Sequence, residues 1–283
     1  MSIQLTELSP GYQVAVIDHP AARARLALHG AHLMEWTPAG AAPVLYLSPN
    51  AIYREGKAIR GGVPLCWPWF GPHPSDASLP AHGFARNRFW KLISAEEDAT
   101  GASLRLSLTE SLDTMKLWPH AFQLEMGLHI GARLRLSLTM RNTGSQPFSI
   151  TGALHTYLAV GGIAGVRIEG LDGVWYQDHA GPVTNRAQTG DVHFTEEVDR
   201  IYATPADVLI HDSVLQRRLS LCSSGSATTV IWNPGIKKAR ALTDLPDDGH
   251  LKFVCVETAN AWENAITLAP GETHTLGVVM TAD

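Results

Sequence analysis

The sequence predicts an all-β protein, a large antiparallel sandwich or closed sheet, and three observations carry that expectation. Period-two alternation of apolar and polar residues is the commonest pattern along the chain. Turn residues separate the alternating runs at short intervals, as in sandwiches and barrels. Helical periodicity is weak throughout, and the helix-like candidates are short.

The first strand candidates are "YQVAVI" and "RARLALHG" (12–17 and 23–30). From Ile52 to Arg88 the pattern is irregular, which reads as long loops laid over the sheet, where sites are usually built. In "SLRLSLTE" Leu104, Leu106 and Leu108 share one face, and Arg105, Ser107 and Thr109 the other. "ARLRLSLTMRNTG" repeats the device with Leu134, Leu136, Leu138 and Met140 before the turn at Asn142–Gly144. Phe148–Val160, "FSITGALHTYLAV", reads as one strand, and "VRIEGLDGVWYQ" as a hairpin about Asp172-Gly173. "VLIHDS", "RRLSLCSS", "ATTVIWN", "LKFVCVET" and "HTLGVVM" complete the set. With no Gly/Ser/Pro-rich linker or charge run to divide it, the chain reads as one domain, 1–283.

Composition removes several function classes. At 283 residues and 45% hydrophobic content, a large core is available. The formal charge of −5 and scattered basic residues argue against a nucleic-acid surface, so an anion must be held by local arginines. Cys66, Cys222 and Cys255 form no C-x-x-C pair, which fits a reducing compartment better than a disulfide framework. The N-terminal residues lack a signal-peptide pattern and no apolar run reaches membrane-span length. The expectation is a soluble cytoplasmic monomer.

Candidate chemistry concentrates in a few stretches. "IRGGVPLCWPWFGP" and "HGFARNRFW" supply Arg60, Arg86 and Arg88, whose guanidinium forks suit phosphate oxygens. Arg86 and Arg88 would share a face if on a strand; ion pairs with acids such as Glu55, Asp76 or Glu97 are the alternative. Trp67 and Trp69 are either pocket walls or core. His155, with small and polar neighbours at alternate positions, is either a ligand-facing imidazole or a hydrogen-bonded core histidine. Glu257 ends a run apolar on both faces, so it lies at the sheet's wet end or is a desolvated carboxylate with the raised pKa of a base. The histidine and cysteine spacings match no metal site, and no nucleotide-binding loop or nucleophile elbow is present.

"AIRGGVPLCWPWFGP", "HGFARNRFW", "ALHTYLAV", "EEVDRIY", "VIWNP" and "FVCVETAN" together resemble the D-hexose-6-phosphate mutarotases of the aldose 1-epimerase superfamily, in order from residue 58 to 260. The resemblance implies a β-sandwich of the galactose-mutarotase type and a reaction without metal or cofactor. It also implies that His155 and Glu257 are catalytic, and that Arg60, Arg86 and Asp199 bind substrate. His82 stands at the superfamily's second active-site histidine. The glutamine usual before H-G-F-A-R is Ala81 here, which leaves the preferred hexose open. The implied activity is exchange of the α and β anomers of a hexose 6-phosphate, glucose 6-phosphate foremost. Glu257 would act as base on the C1 hydroxyl and protonated His155 as acid at the ring oxygen. The glycines at 61 and 62 would let the loop approach the substrate. A mutarotase for unphosphorylated aldoses and a non-catalytic carbohydrate-binding sandwich are the alternatives.

Overall fold

The computed structural model describes residues 2–283. Nine strands form one antiparallel sheet in the order Val192–His193, Val166–Glu169, Asp207–Asp212, Arg217–Ser224, Thr273–Ala282, Leu134–Asn142, Phe122–Gly131, Gly101–Thr109, Lys91–Asp98. Its alternation is the cause of its placement. Leu104, Met126, Leu136 and Val278 point inward and are buried, whereas Arg105 and Glu125 pair on the outer face at 2.8 and 3.1 Å.

Against the inner face lies a second sheet: Thr184–Ala187, Trp175–Asp178, Val198–Tyr202, Thr228–Asn233, Phe253–Asn260, Gly152–Leu154, Leu65–Cys66, with Tyr157–Ala159 also pairing to Phe253–Asn260. All eight residues of Phe253–Asn260 are buried, as its unbroken apolar run predicts. Val254 and Val256 enter the core between the sheets, and Phe253, Cys255 and Ala259 pack on the opposite face. Four further strands, Ile3–Ser9, Tyr12–His19, Ala22–Ala27 and His32–Pro38, make an antiparallel sheet that adds Ile17, Leu26, Leu33 and Trp36 to the same core. The sandwich and the short helices Leu112–Leu117 and Gly235–Ala241 agree with the sequence reading.

Three local expectations need correcting. Phe148–Val160 is not one strand: Phe148–Ile150 pairs with Ile266–Leu268 in a ribbon of its own, and the chain restarts as Gly152–Leu154 and Tyr157–Ala159. The break at His155 coincides with a local bend in which the Thr156 N–H turns back to the Leu154 carbonyl at 3.0 Å. Thr151 and His155 donate their N–H groups to the carbonyls of Pro68 and Pro64, and the Thr151 hydroxyl accepts from the Phe70 N–H. Asp172-Gly173 does form a turn, with Val174 N–H bonded to Leu171 O, but no hairpin. The strand before it belongs to the nine-stranded sheet and the strand after it to the other, so the turn is a crossover. Arg86 and Arg88 lie in and just after a 3₁₀ turn, Ala85–Asn87, and not on a strand.

Candidate active site

Antiparallel register builds the floor of the site. Leu154 faces Thr258 and Tyr157 faces Cys255, so the intervening His155 falls opposite Glu257 although the ladder is interrupted there. Residues opposite one another share a face; the His155 Nε2 and Glu257 Oε1 atoms lie 3.4 Å apart. Val230 continues the row beside Glu257, and Ile201 and Gln177 follow on the next two strands. A parallel row runs Tyr157, Cys255, Trp232, Asp199. The row ends with His179, whose N–H bonds the Asp199 carbonyl at 2.7 Å. Above this floor is a cavity of about 600 Å³, within the ordinary range for small-molecule sites.

The loops cover the floor by touching backbone to backbone. Phe84 and Ala85 both donate to the Trp67 carbonyl, and a Cβ on Gly83 (φ +69°) would lie 2.0 Å from that oxygen. Only glycine permits this contact, and it brings His82 and Arg86, on either side of Gly83, over the catalytic-type pair. Gly61 and Gly62 act likewise, passing within 2.4 Å of Tyr46 O and 2.2 Å of Leu33 O as measured from a notional Cβ. Their freedom serves packing of the chain on itself, not approach to a ligand.

Arg60, His82, Arg86, His155, Asp199 and Glu257 all line the cavity. Arg88, Trp67 and Trp69 do not. Trp67 is fully buried against Trp118 and Phe122, and the Trp69 indole N–H is bonded to Pro80 O at 2.9 Å, so both are core and loop anchors. Arg88 faces away, beside His29.

The two lining arginines differ in how they are neutralised. Arg60 Nε donates to Asp244 at 3.1 Å and another guanidinium nitrogen to the Tyr157 hydroxyl at 3.0 Å. Asp244 is 184 residues away, beyond the reach of any local sequence pattern. Arg86 donates to the Ala81 carbonyl at 2.9 Å and, among the described residues, forms no ion pair with an acid; its Nε is buried without a partner. Buried polar atoms are nearly always satisfied. His155 Nδ1 and Glu257 Oε2 are also buried and unpartnered, so three residues that line the cavity each carry an unsatisfied polar atom.

Electrostatics set the protonation of the pair. Burial pushes the Glu257 carboxyl well above the usual carboxylate range, with Asp199 adding to the rise and Arg86 opposing it. Burial pulls the His155 imidazole well below its ordinary value, and His82, Arg86 and Arg60 push the same way. Both directions disfavour charge, so burial works against the carboxylate–imidazolium form of the pair. Tyr157 stacks on His155, ring centroids 4.8 Å apart and nearly parallel, fixing the imidazole plane. His82 adopts φ +62°, held by its N–H to Gly71 O at 2.6 Å; its Nδ1 accepts from the Gly71 N–H at 3.3 Å, which leaves the ring proton on Nε2. Burial, then Arg86 and Arg60, lower its pKa to about 3. Asp199 lies 3.6 Å from Lys238 Nζ and is raised by burial, with Lys238 and His179 holding it down. Period and motif reading missed Tyr157, Asp244, Lys238, Gln177 and His179, because only strand register and tertiary contact bring them here.

The model of the aldose 1-epimerase family matches residues 13–281, nearly the whole chain. The chain belongs to that family. An Escherichia coli K12 relative named "Putative glucose-6-phosphate 1-epimerase" is 44% identical over 88% of this chain and 83% of its own length. A Cenchrus ciliaris protein of the same name is 38% identical over 88% and 78%. The solved structure of YeaD from Salmonella typhimurium, 36% identical, superposes with a TM-score of 0.91 over 99% of this chain and 96% of that one. A galactose mutarotase-like protein of Clostridium acetobutylicum, 15% identical, shares the fold at a TM-score of 0.78 over 99% and 98%. The family is one of isomerases that exchange sugar anomers, and the sandwich is of the galactose-mutarotase type. Among the described residues no helix is long and apolar enough to cross a membrane.

Proposed function

We propose that this chain exchanges the α and β anomers of a hexose 6-phosphate, with glucose 6-phosphate as the first substrate to test. The observation that carries the reading is the Glu257–His155 pair, 3.4 Å apart, beside a half-buried arginine that, among the described residues, lacks an acidic partner. The names of the relatives favour the phosphorylated sugar.

Arg86 takes the 6-phosphate, with Arg60 adding charge from its Asp244-anchored position. Sugar hydroxyls donating to Glu257 favour its carboxylate, and the phosphate dianion favours a protonated His155. Binding thus favours the form of the pair with Glu257 as carboxylate and His155 protonated. Glu257 then removes the C1 hydroxyl proton as His155 protonates the ring oxygen; the C1–O5 bond breaks and C1 becomes an aldehyde. Rotation about C1–C2 and the reverse transfers on the other face give the second anomer, with no net proton change. Positioned proton transfer of this kind contributes roughly 10² to 10⁴ in rate. Asp199 holds hydroxyls on the sugar's far edge, and His82 offers its Nε2–H. Continuity of one hydrophobic cluster from Ala15 to Met280 supports reading the chain as a single domain, and a sugar-phosphate substrate supports a cytoplasmic setting.

The test is NMR exchange between the anomers of glucose 6-phosphate with and without protein, glucose being the control and spontaneous exchange subtracted. Acceleration for the phosphate with little for glucose is expected. Equal acceleration would mark an unselective aldose epimerase, and none for either would overturn the catalytic reading.

A further inference from the structure

The cavity floor extends beyond what the reacting carbon requires. Gln177 is three strands from Glu257 in the same row, roughly 14 Å at the usual inter-strand spacing. Chemistry fixes which part of the sugar points that way. C1 has two ring neighbours, O5 and C2. With C1 at Glu257 and O5 at His155, C2 must lie on the opposite side, over Val230 and towards Asp199. C6, carried by C5 beside O5, remains with Arg86 on the His155 side. The C2–C3 edge therefore faces Asp199, Gln177 and His179.

Those groups form a matched set. The Gln177 side-chain carbonyl accepts from His179 Nε2 at 2.7 Å, which assigns the imidazole proton to Nε2 and leaves Nδ1 an acceptor. The Gln177 amide NH₂ and His179 Nδ1 have no other partner among the described residues, and both residues line the cavity. His179 is locked to Asp199 through its backbone N–H. A donor, an acceptor and a carboxylate side by side complement two adjacent hydroxyls, each of which donates once and accepts once.

We propose that Gln177 and His179 are specificity-determining residues that read the C2–C3 hydroxyls, selecting hexose 6-phosphates with the equatorial diol of the gluco configuration. The inference rests on the anomer-exchange reading above. Its test compares kcat/KM for glucose 6-phosphate, 2-deoxyglucose 6-phosphate, mannose 6-phosphate and galactose 6-phosphate in wild type, Gln177→Ala, His179→Ala and His179→Gln, with folding checked by circular dichroism. Wild type should prefer glucose 6-phosphate to its 2-deoxy and C2-epimeric analogues by tenfold or more. Each alanine variant should lose about tenfold on glucose 6-phosphate, mainly in KM, and little on the 2-deoxy compound, so the preference collapses. The C4 epimer should fall alongside glucose 6-phosphate, because its C2–C3 edge is the same. His179→Gln, which keeps an acceptor, should restore part of the preference. A wild type active on these sugars whose preferences are unchanged in the variants, or variants that lose activity equally on all four, would overturn this inference alone. A wild type that accelerates none of them would overturn the anomer-exchange reading, and this one with it.

Discussion

Replacing Arg86 with alanine separates phosphate capture from proton transfer. Among the described residues, Arg86 is the lining guanidinium whose only hydrogen bond is to a neutral acceptor, the Ala81 carbonyl. Hydrogen bonds to a charged group contribute about 1.5–3 kcal/mol each, and a bidentate fork makes two. Loss of both costs about 3–6 kcal/mol, or roughly 10² to 10⁴ in kcat/KM at 1.36 kcal/mol per decade. Glucose, without the phosphate, should lose less than tenfold. One correction can be worked out in sign. Arg86 lowers the pKa of both His155 and Glu257, so its removal raises both and moves the pH optimum upward. The comparison therefore belongs at each variant's own optimum, by anomer-exchange NMR. Arg86→Lys, which keeps charge but not the fork, should fall between. Equal losses on the phosphorylated and free sugars would refute the phosphate assignment and leave Arg86 a structural role.

Other perturbations follow from the same geometry. Glu257→Gln should reduce turnover by 10² or more; because the folded pKa of Glu257 lies above its ordinary 4.5, its stability contribution is whole below pH 4.5 and lost as pH rises. Urea unfolding should thus show the glutamine variant gaining on wild type between pH 4 and 8, and a constant difference would contradict the burial argument. His32, fully buried with Nε2 bonded to Gly61 O at 2.8 Å, has its pKa lowered to about 3, so wild type should lose stability relative to His32→Gln as pH falls from 6.5. The expected slope is about 1.4 kcal/mol per pH unit, read from unfolding at pH 6.5, 5 and 4. Gly83→Ala should destabilise the protein by about 2 kcal/mol or more and abolish activity, since its Cβ meets the Trp67 carbonyl at a positive φ; an unchanged melting temperature would refute the close contact.

Strand positions were legible in the sequence because alternation is a direct imprint of a sheet with one wet face. Leu104, Leu134 and their neighbours point where the pattern says. The break at His155 was not legible: the bend that returns the Thr156 N–H to Leu154 O, and the pairing of Phe148–Ile150 with Ile266–Leu268, leave the 148–160 alternation intact. Glu257 and His155 stood out through residue type, but their confrontation depends on a register that no window of sequence encodes. The Asp172-Gly173 signal was local and correct as a turn; which sheet each flanking strand joins is decided by the core. Arg60 and Arg86 looked alike as sequence, and only distant Asp244 distinguishes them.

The cross-strand origin of the Glu257–His155 pair has an evolutionary consequence. Its spacing is written into the rungs of a ladder buried on both faces, whereas Arg60, His82 and Arg86 ride on connecting loops. Lineages that exchange the loops can change which sugar is captured while inheriting the proton-transfer distance intact.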